Sequence, residues 1–223
     1  MRFIFSLLFF LSVTLISAQE SRHELRDSLR ILSWQLEENP SDLQLRLQKA
    51  ALNMQLEEWE NAIFEYNQVL MSDNENLAAL FYRAYAQVRL RRYVLARNDY
   101  NSLLAIVPYH FEGRLGLALL CQKEGKLHEA LDQLNLLIEQ HPQEDIAYAA
   151  RADVEAEEGL RDAAIYDYSE AIRLAPTNTD YLLARVQLYI DAQQFDDARR
   201  DLEQLIELGV TRPSLFEFFK QLK

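Results

Sequence analysis

The chain has 223 residues, 49% of them hydrophobic, with only five Gly and five Pro, which is enough length for a sizeable core and too few turn formers for a many-stranded sandwich. Its 23 basic and 35 acidic residues give a formal charge of −12, which argues against nucleic acid or an anionic membrane surface as a partner, because phosphates need concentrated Lys and Arg. Acidic charge on this scale keeps an elongated helical chain soluble.

Met1 to Ala18 reads as a signal peptide: Arg2 is a minimal charged start, Phe3 to Ile16 is almost continuously apolar, and Ile16-Ser17-Ala18 ends on a small residue, the pattern that is cut on export. The apolar run falls short of the about 20 residues of a membrane span, so membrane association is expected only if the segment stays uncleaved. The expected location is therefore exported, periplasmic or secreted. The single cysteine, Cys121, rules out an internal disulfide and reads as a small buried apolar residue of a helix.

From Gln19 to Asp42 the chain reads as one helix, with Leu25, Leu29, Leu32 and Leu36 on one stripe and Asn39-Pro40 at its end. Five units of 34 residues follow over 43–212, starting at Leu43, Leu77, Phe111, Asp145 and Thr179, and columns are counted from these starts. Pro40 lies in register with Pro108, Pro142 and Pro176, so the first helix is the second half of a repeat whose first half is missing, a cap for the stack.

Column 20 is Ala62, Ala96, Ala130, Ala164 and Ala198, and column 8 is Ala50, Ala84, Ala118 and Ala152 before yielding to Val186. Where two helices cross at about 8–10 Å, a small side chain lets the backbones approach and receives a large neighbour. The large neighbours are expected in column 24 (Tyr66, Tyr100, Leu134, Tyr168, Leu202) and column 28 (Leu70, Leu104, Ile138, Ile172, Ile206).

Gly125 and Gly159 are placed to end first helices in a left-handed conformation, and Pro108, Pro142 and Pro176 stop the second helices. A capping helix closes the chain over 213–223. Its Leu215, Phe216, Phe218, Phe219 and Leu222 are more apolar residues than one docking face needs, which raises self-association as an alternative function.

This pattern of Ala at columns 8 and 20, an aromatic or Leu at column 24 and Pro at column 32 resembles the tetratricopeptide repeat family over Leu43 to Arg212. The resemblance implies an all-α, right-handed superhelical solenoid of antiparallel helix pairs. It also implies a protein that binds a segment of another protein in a concave groove lined by first helices. Two departures stand out: the family's aromatic at column 4 is Arg46, Leu80, Arg114, Tyr148 and Leu182, and its Tyr at column 11 survives only as Tyr189. The family's clamp of Lys and Asn for a chaperone's terminal carboxylate finds no matching residues here, so that activity is not carried over.

Column 7 (Lys49, Arg83, Leu117, Arg151, Arg185) and column 23 (Glu65, Asp99, Gln133, Asp167, Asp201) are both charged or both uncharged in each unit. This covariation predicts an ion pair between the two helices of one repeat, so these Arg residues are structural.

No chemistry stands out elsewhere. His23, His110, His128 and His141 are scattered without metal-ligand spacing, with His110 and His141 read as solvated turn residues, and there is no phosphate loop or nucleophile elbow. A non-enzymatic scaffold without cofactor or metal is expected.

Its groove candidates fall in two groups, Leu47, Met54, Phe81, Tyr82, Tyr85, Val88 and Arg89 in the N-terminal half, and Asp153, Glu157, Asp180, Gln187 and Asp191 in the C-terminal half. Aromatic anchors and an acidic end favour a partner with apolar and basic residues.

Overall fold

The computed structural model describes residues 22–222, all of whose regular elements are helical; the segment read as a signal peptide lies outside them. The chain divides after Ile106 into two compact units.

The described part of the N-terminal unit holds α1 (residues 22–38), α2 (Leu43–Gln55), α3 (Trp59–Ser72), α4 (Leu77–Arg89) and α5 (Tyr93–Ile106). The C-terminal unit holds α6 (Phe111–Lys123), α7 (Leu127–Gln140), α8 (Asp145–Glu158), α9 (Arg161–Leu174), α10 (Thr179–Asp191), α11 (Phe195–Glu207), a 3-10 turn (Arg212–Leu215) and α12 (Phe216–Gln221). Within each unit successive helices pack on one another as stacked hairpins. No helix of the described residues is long and apolar enough to cross a membrane.

Helix ends follow local chemistry. Asp42 accepts hydrogen bonds from the Gln44 and Leu45 amides, Asn76 from the Ala79 amide and Asn178 from the Asp180 amide, satisfying first-turn donors. His110 does the same for Gly113 through Nδ1 at 3.2 Å, and the His141 ring meets Phe111 edge-on at 5.3 Å with Nε2 3.1 Å from the Tyr109 carbonyl. These two histidines are thus structural parts of turns rather than merely solvated.

First helices end at column 15 in the left-handed region in every repeat. Gly125 and Gly159 have φ of 72° and 84°, while Glu57, Arg91 and Gln193 adopt φ of 60°, 58° and 60° without being glycine.

The cores are built on the alanine columns. All five column-20 alanines and Ala50, Ala84, Ala118 and Ala152 are fully buried. The large partners are in column 24, as expected, and a second buried column is 27, where Val69, Leu103, Leu137, Ala171 and Leu205 are fully buried; in column 28 Ile172 is buried as expected, while Leu70, Leu104, Ile138 and Ile206 are only half-buried. At about 100° per residue, columns 20, 24 and 27 share a narrow arc and column 28 stands about 80° from column 20, at the edge of the contact.

Cys121 is buried and its thiol faces Glu129 at 3.8 Å.

The C-terminal segment corrects an expectation. Pro213 opens a 3-10 turn instead of a continuous helix, and Leu215 and Leu222 are buried in a cluster with Leu182, Val186, Leu202 and Leu205. Phe218 and Phe219 pack against the same cluster, leaving Phe216 as the exposed one of the five.

Candidate functional site

A ladder of charged and polar side chains runs through the repeats. Arg83 meets Asp99 through Nε–Oδ2 at 2.9 Å and Nη2–Oδ1 at 2.5 Å, and Arg151 meets Asp167 likewise at 2.5 and 2.8 Å. Arg185 meets Asp201 at 2.8 Å through both prongs, and Lys49 reaches Glu65 at 2.8 Å. The predicted intra-repeat pairs are therefore present.

Sequence reading missed the third prong. The free Nη1 of each Arg crosses to column 25 of the preceding repeat, Asn67 for Arg83, Asn135 for Arg151 and Ser169 for Arg185, at 2.7–2.8 Å. One guanidinium thereby ties three helices, using the fork geometry that Lys lacks. The bond to Asp167 holds the Arg151 guanidinium above its ordinary pKa against the opposing effect of burial.

With these residues committed to the fold, the surface left for a ligand can be read from exposure. On α2 the exposed stripe is Gln44, Gln48, Ala51 and Gln55, and on α4 it is Ala78, Tyr82, Tyr85 and Arg89. Both are columns 2, 6, 9 and 13, spaced along a single helical face.

Columns 5 and 12 turn inward from that stripe. Leu47 and Met54 pack against the cluster of Ala50, Ala62, Tyr66, Val69 and Ala79, and Val88 is half-buried. Phe81 is also half-buried, its ring edge-on to Tyr82 at 5.1 Å and to Tyr100 at 6.1 Å. Of the candidates in this half, Tyr82, Tyr85 and Arg89 are thus the exposed ones.

All three of these exposed side chains stand on aromatic supports. Tyr82 stacks on Tyr66 with centroids 6.2 Å apart, and Tyr85 lies 6.1 Å from Trp59. The Arg89 guanidinium sits 4.9 Å over the Trp59 ring, a cation–π contact. Trp59 was not singled out from sequence, because it opens a second helix and only the fold brings it under the stripe of α4. Burial raises the pKa of Tyr66 and of Tyr100, so these supporting phenols stay neutral.

The acidic candidates of the C-terminal unit are mostly engaged. Asp153 accepts the Tyr168 hydroxyl, Glu157 accepts from Gln122 at 2.9 Å, and Asp191 accepts from Gln187 at 2.9 Å within α10. Asp180 is exposed at the start of α10. Burial and then the bond to Asp153 raise the Tyr168 pKa.

Residues 115–179 match the tetratricopeptide repeat family model. A tetratricopeptide repeat protein from Parabacteroides merdae has a TM-score of 0.67 at 23% identity, covering 92% of this chain and 80% of that one. The fold is that of the tetratricopeptide repeat.

YrrB, a repeat protein with an unusual peptide-binding site, has a TM-score of 0.62 at 19% identity, with 85% of this chain and 97% of that one covered. The thermophilic repeat protein TTC0263 of Thermus thermophilus has a TM-score of 0.61 at 20% identity over 81% of this chain and 98% of that one. No curated protein matches the chain.

The two departures from the tetratricopeptide repeat pattern acquire a physical account. At column 4, Arg46, Arg114 and Tyr148 hydrogen-bond to the carbonyls of Pro40, Pro108 and Pro142, at 2.8, 2.6 and 3.3 Å, fixing the turn that precedes each repeat. Arg114 also bonds Gln133 at 2.9 Å, so the one repeat without a column-7 cation is bridged from column 4.

At column 11, Gln87 donates to Asp99 at 3.0 Å, and the Glu155 carboxyl is raised to about 7 by burial and then by Asp167. Tyr189, the one family-like residue in this column, lies 5.6 Å under the Arg185 guanidinium.

Proposed function

We propose that the chain is a non-enzymatic, exported scaffold that binds a segment of another protein on the exposed stripes of its first helices. The observation that carries this reading is the pair Tyr82 and Tyr85, large aromatic side chains 47% and 42% exposed on one helix face while the charged ladder is occupied by the fold. Rigid amphipathic rings held from beneath are the usual anchors of a protein interface. That YrrB, of similar fold, is a repeat protein with a peptide-binding site supports it.

Self-association through the C-terminal helix is less well supported, because Leu215 and Leu222 are buried in the protein's own core. Export rests on the sequence of residues 1–18 alone, and is checked by sequencing the N-terminus of the product recovered outside the cytoplasm: a start at Gln19 agrees, and an intact Met1 overturns cleavage.

The binding reading is tested by capture of partners from the exported fraction with the wild type and with a Tyr82→Ala, Tyr85→Ala variant. Loss of specific partners with an unchanged helical spectrum supports it, and identical capture rejects the face.

A further inference from the structure

The exposed stripes of the two units differ in charge. Columns 2, 6, 9 and 13 of α2 and α4 carry no carboxylate and one cation, Arg89, whereas the same columns of α6, α8 and α10 carry Glu112, Asp153, Glu157, Asp180 and Asp191 against Lys123. The N-terminal stripe is therefore not a weaker copy of the acidic one. It is a surface of the opposite preference.

Its chemistry has three parts. Gln44, Gln48 and Gln55 form a row of exposed amides on α2, and each primary amide both donates and accepts, as an extended main chain also does. Tyr82 and Tyr85 offer ring faces and hydroxyls to apolar side chains, with proline among the residues that settle on such rings. Arg89 is held over Trp59 by its face, which leaves the guanidinium edge free to aim its donors at an anion. With no carboxylate in columns 2, 6, 9 and 13 of α2 or α4, this cation selects for an acid and leaves a Lys or Arg of the ligand unpaired.

We infer that the N-terminal unit binds an extended peptide segment carrying apolar residues, proline included, and an acidic side chain that pairs with Arg89. This inference rests on the scaffold reading above and narrows it: the partner segment for this unit is acidic, not basic.

Binding of two fluorescently labelled peptides to the full chain tests it. One is acetyl-Ala-Phe-Pro-Asp-Leu-Pro-Asp-Phe-Ala-amide, and the other has both Asp replaced by Lys. The Asp peptide is expected to bind about tenfold more tightly, and Arg89→Gln to bring the two within about twofold by weakening the Asp peptide alone. Arg173→Gln, which removes an exposed cation elsewhere, controls for net charge and leaves the preference intact.

Equal affinity, a preference for Lys, or a preference that survives Arg89→Gln overturns the inference. So does absence of binding up to about 1 mM, and so does a bound fraction of the Asp peptide that falls as the concentration of the chain rises, which marks a second copy as the occupant. The scaffold reading itself falls only if captured partners ignore Tyr82 and Tyr85, so the two failures are separate.

Discussion

Arg151 grips Asp167 with two parallel hydrogen bonds of 2.5 and 2.8 Å, and reaches Asn135 on the preceding hairpin with the third at 2.8 Å. The Asp167 side chain is 1% exposed and that of Arg151 20%, so this pair stabilises the stack and is not available to a ligand.

Removing one partner strands a buried charge. Arg151→Ala and Asp167→Ala are each expected to cost about 3–5 kcal/mol, and the double variant less than their sum, with a coupling of about 0.5–3 kcal/mol. Asn135→Ala removes one neutral acceptor and costs about 1 kcal/mol. Urea unfolding of the wild type and these four variants measures this, and a coupling near zero shows that the geometry does not hold in solution.

Ala164 is fully buried on α9 where α8 packs against it, beside Ala152 and Tyr168. Ala164→Leu forces the two backbones apart and is expected to cost about 1–3 kcal/mol. Tyr166→Leu, at a position 61% exposed on the same helix, is expected to stay within about 0.5 kcal/mol. Equal midpoints for both variants would refute the view that column 20 sets the helix spacing.

The alanine columns and the Arg–Asp pairs were legible in the sequence because a repeat serves as its own alignment: Ala164 recurs, and Arg151 varies together with Asp167. Column 27 was not distinguished because Val69 and Ala171 share no size, and only their common angle on the helix unites them. The candidate surface was legible in part. Tyr82 and Tyr85 fall on the exposed stripe, but Leu47, Met54 and Phe81 lie one step round the helix and are drawn into the core. The role of Trp59 follows from packing between α3 and α4, which sequence spacing does not encode.

Gln193 and Glu57 adopt φ of 60° at the ends of their helices, where two sister repeats have glycine. A left-handed residue with a Cβ costs about 1–2 kcal/mol. Glycine also increases the freedom of the unfolded chain, which takes back about 0.4–1 kcal/mol. Gln193→Gly is therefore expected to stabilise by up to about 1 kcal/mol, while Gly159→Ala, at φ 84°, destabilises by a comparable amount. Thermal melts of the two variants should move in opposite directions, and a shared direction would contradict the strain argument.

Glu155 gives the C-terminal unit a pH dependence of unusual sign. Its folded pKa of about 7 lies above the ordinary 4.5, through burial first and the neighbouring Asp167 second. Arg151 lowers it only in part, because both prongs of that guanidinium are already on Asp167. The folded protein therefore holds this proton more tightly than the unfolded chain does. The stabilisation from the neutral carboxyl is complete below the ordinary pKa, is lost as pH rises through the folded value, and is absent above it. Glu155→Gln mimics the protonated form permanently, so it is expected to raise the urea midpoint relative to wild type at pH 8 and to leave it nearly unchanged at pH 4.5. Comparing the two proteins at each pH cancels the titration of every other carboxylate. A difference that does not change between those pH values would mean that Glu155 is ionised in the folded protein across that range.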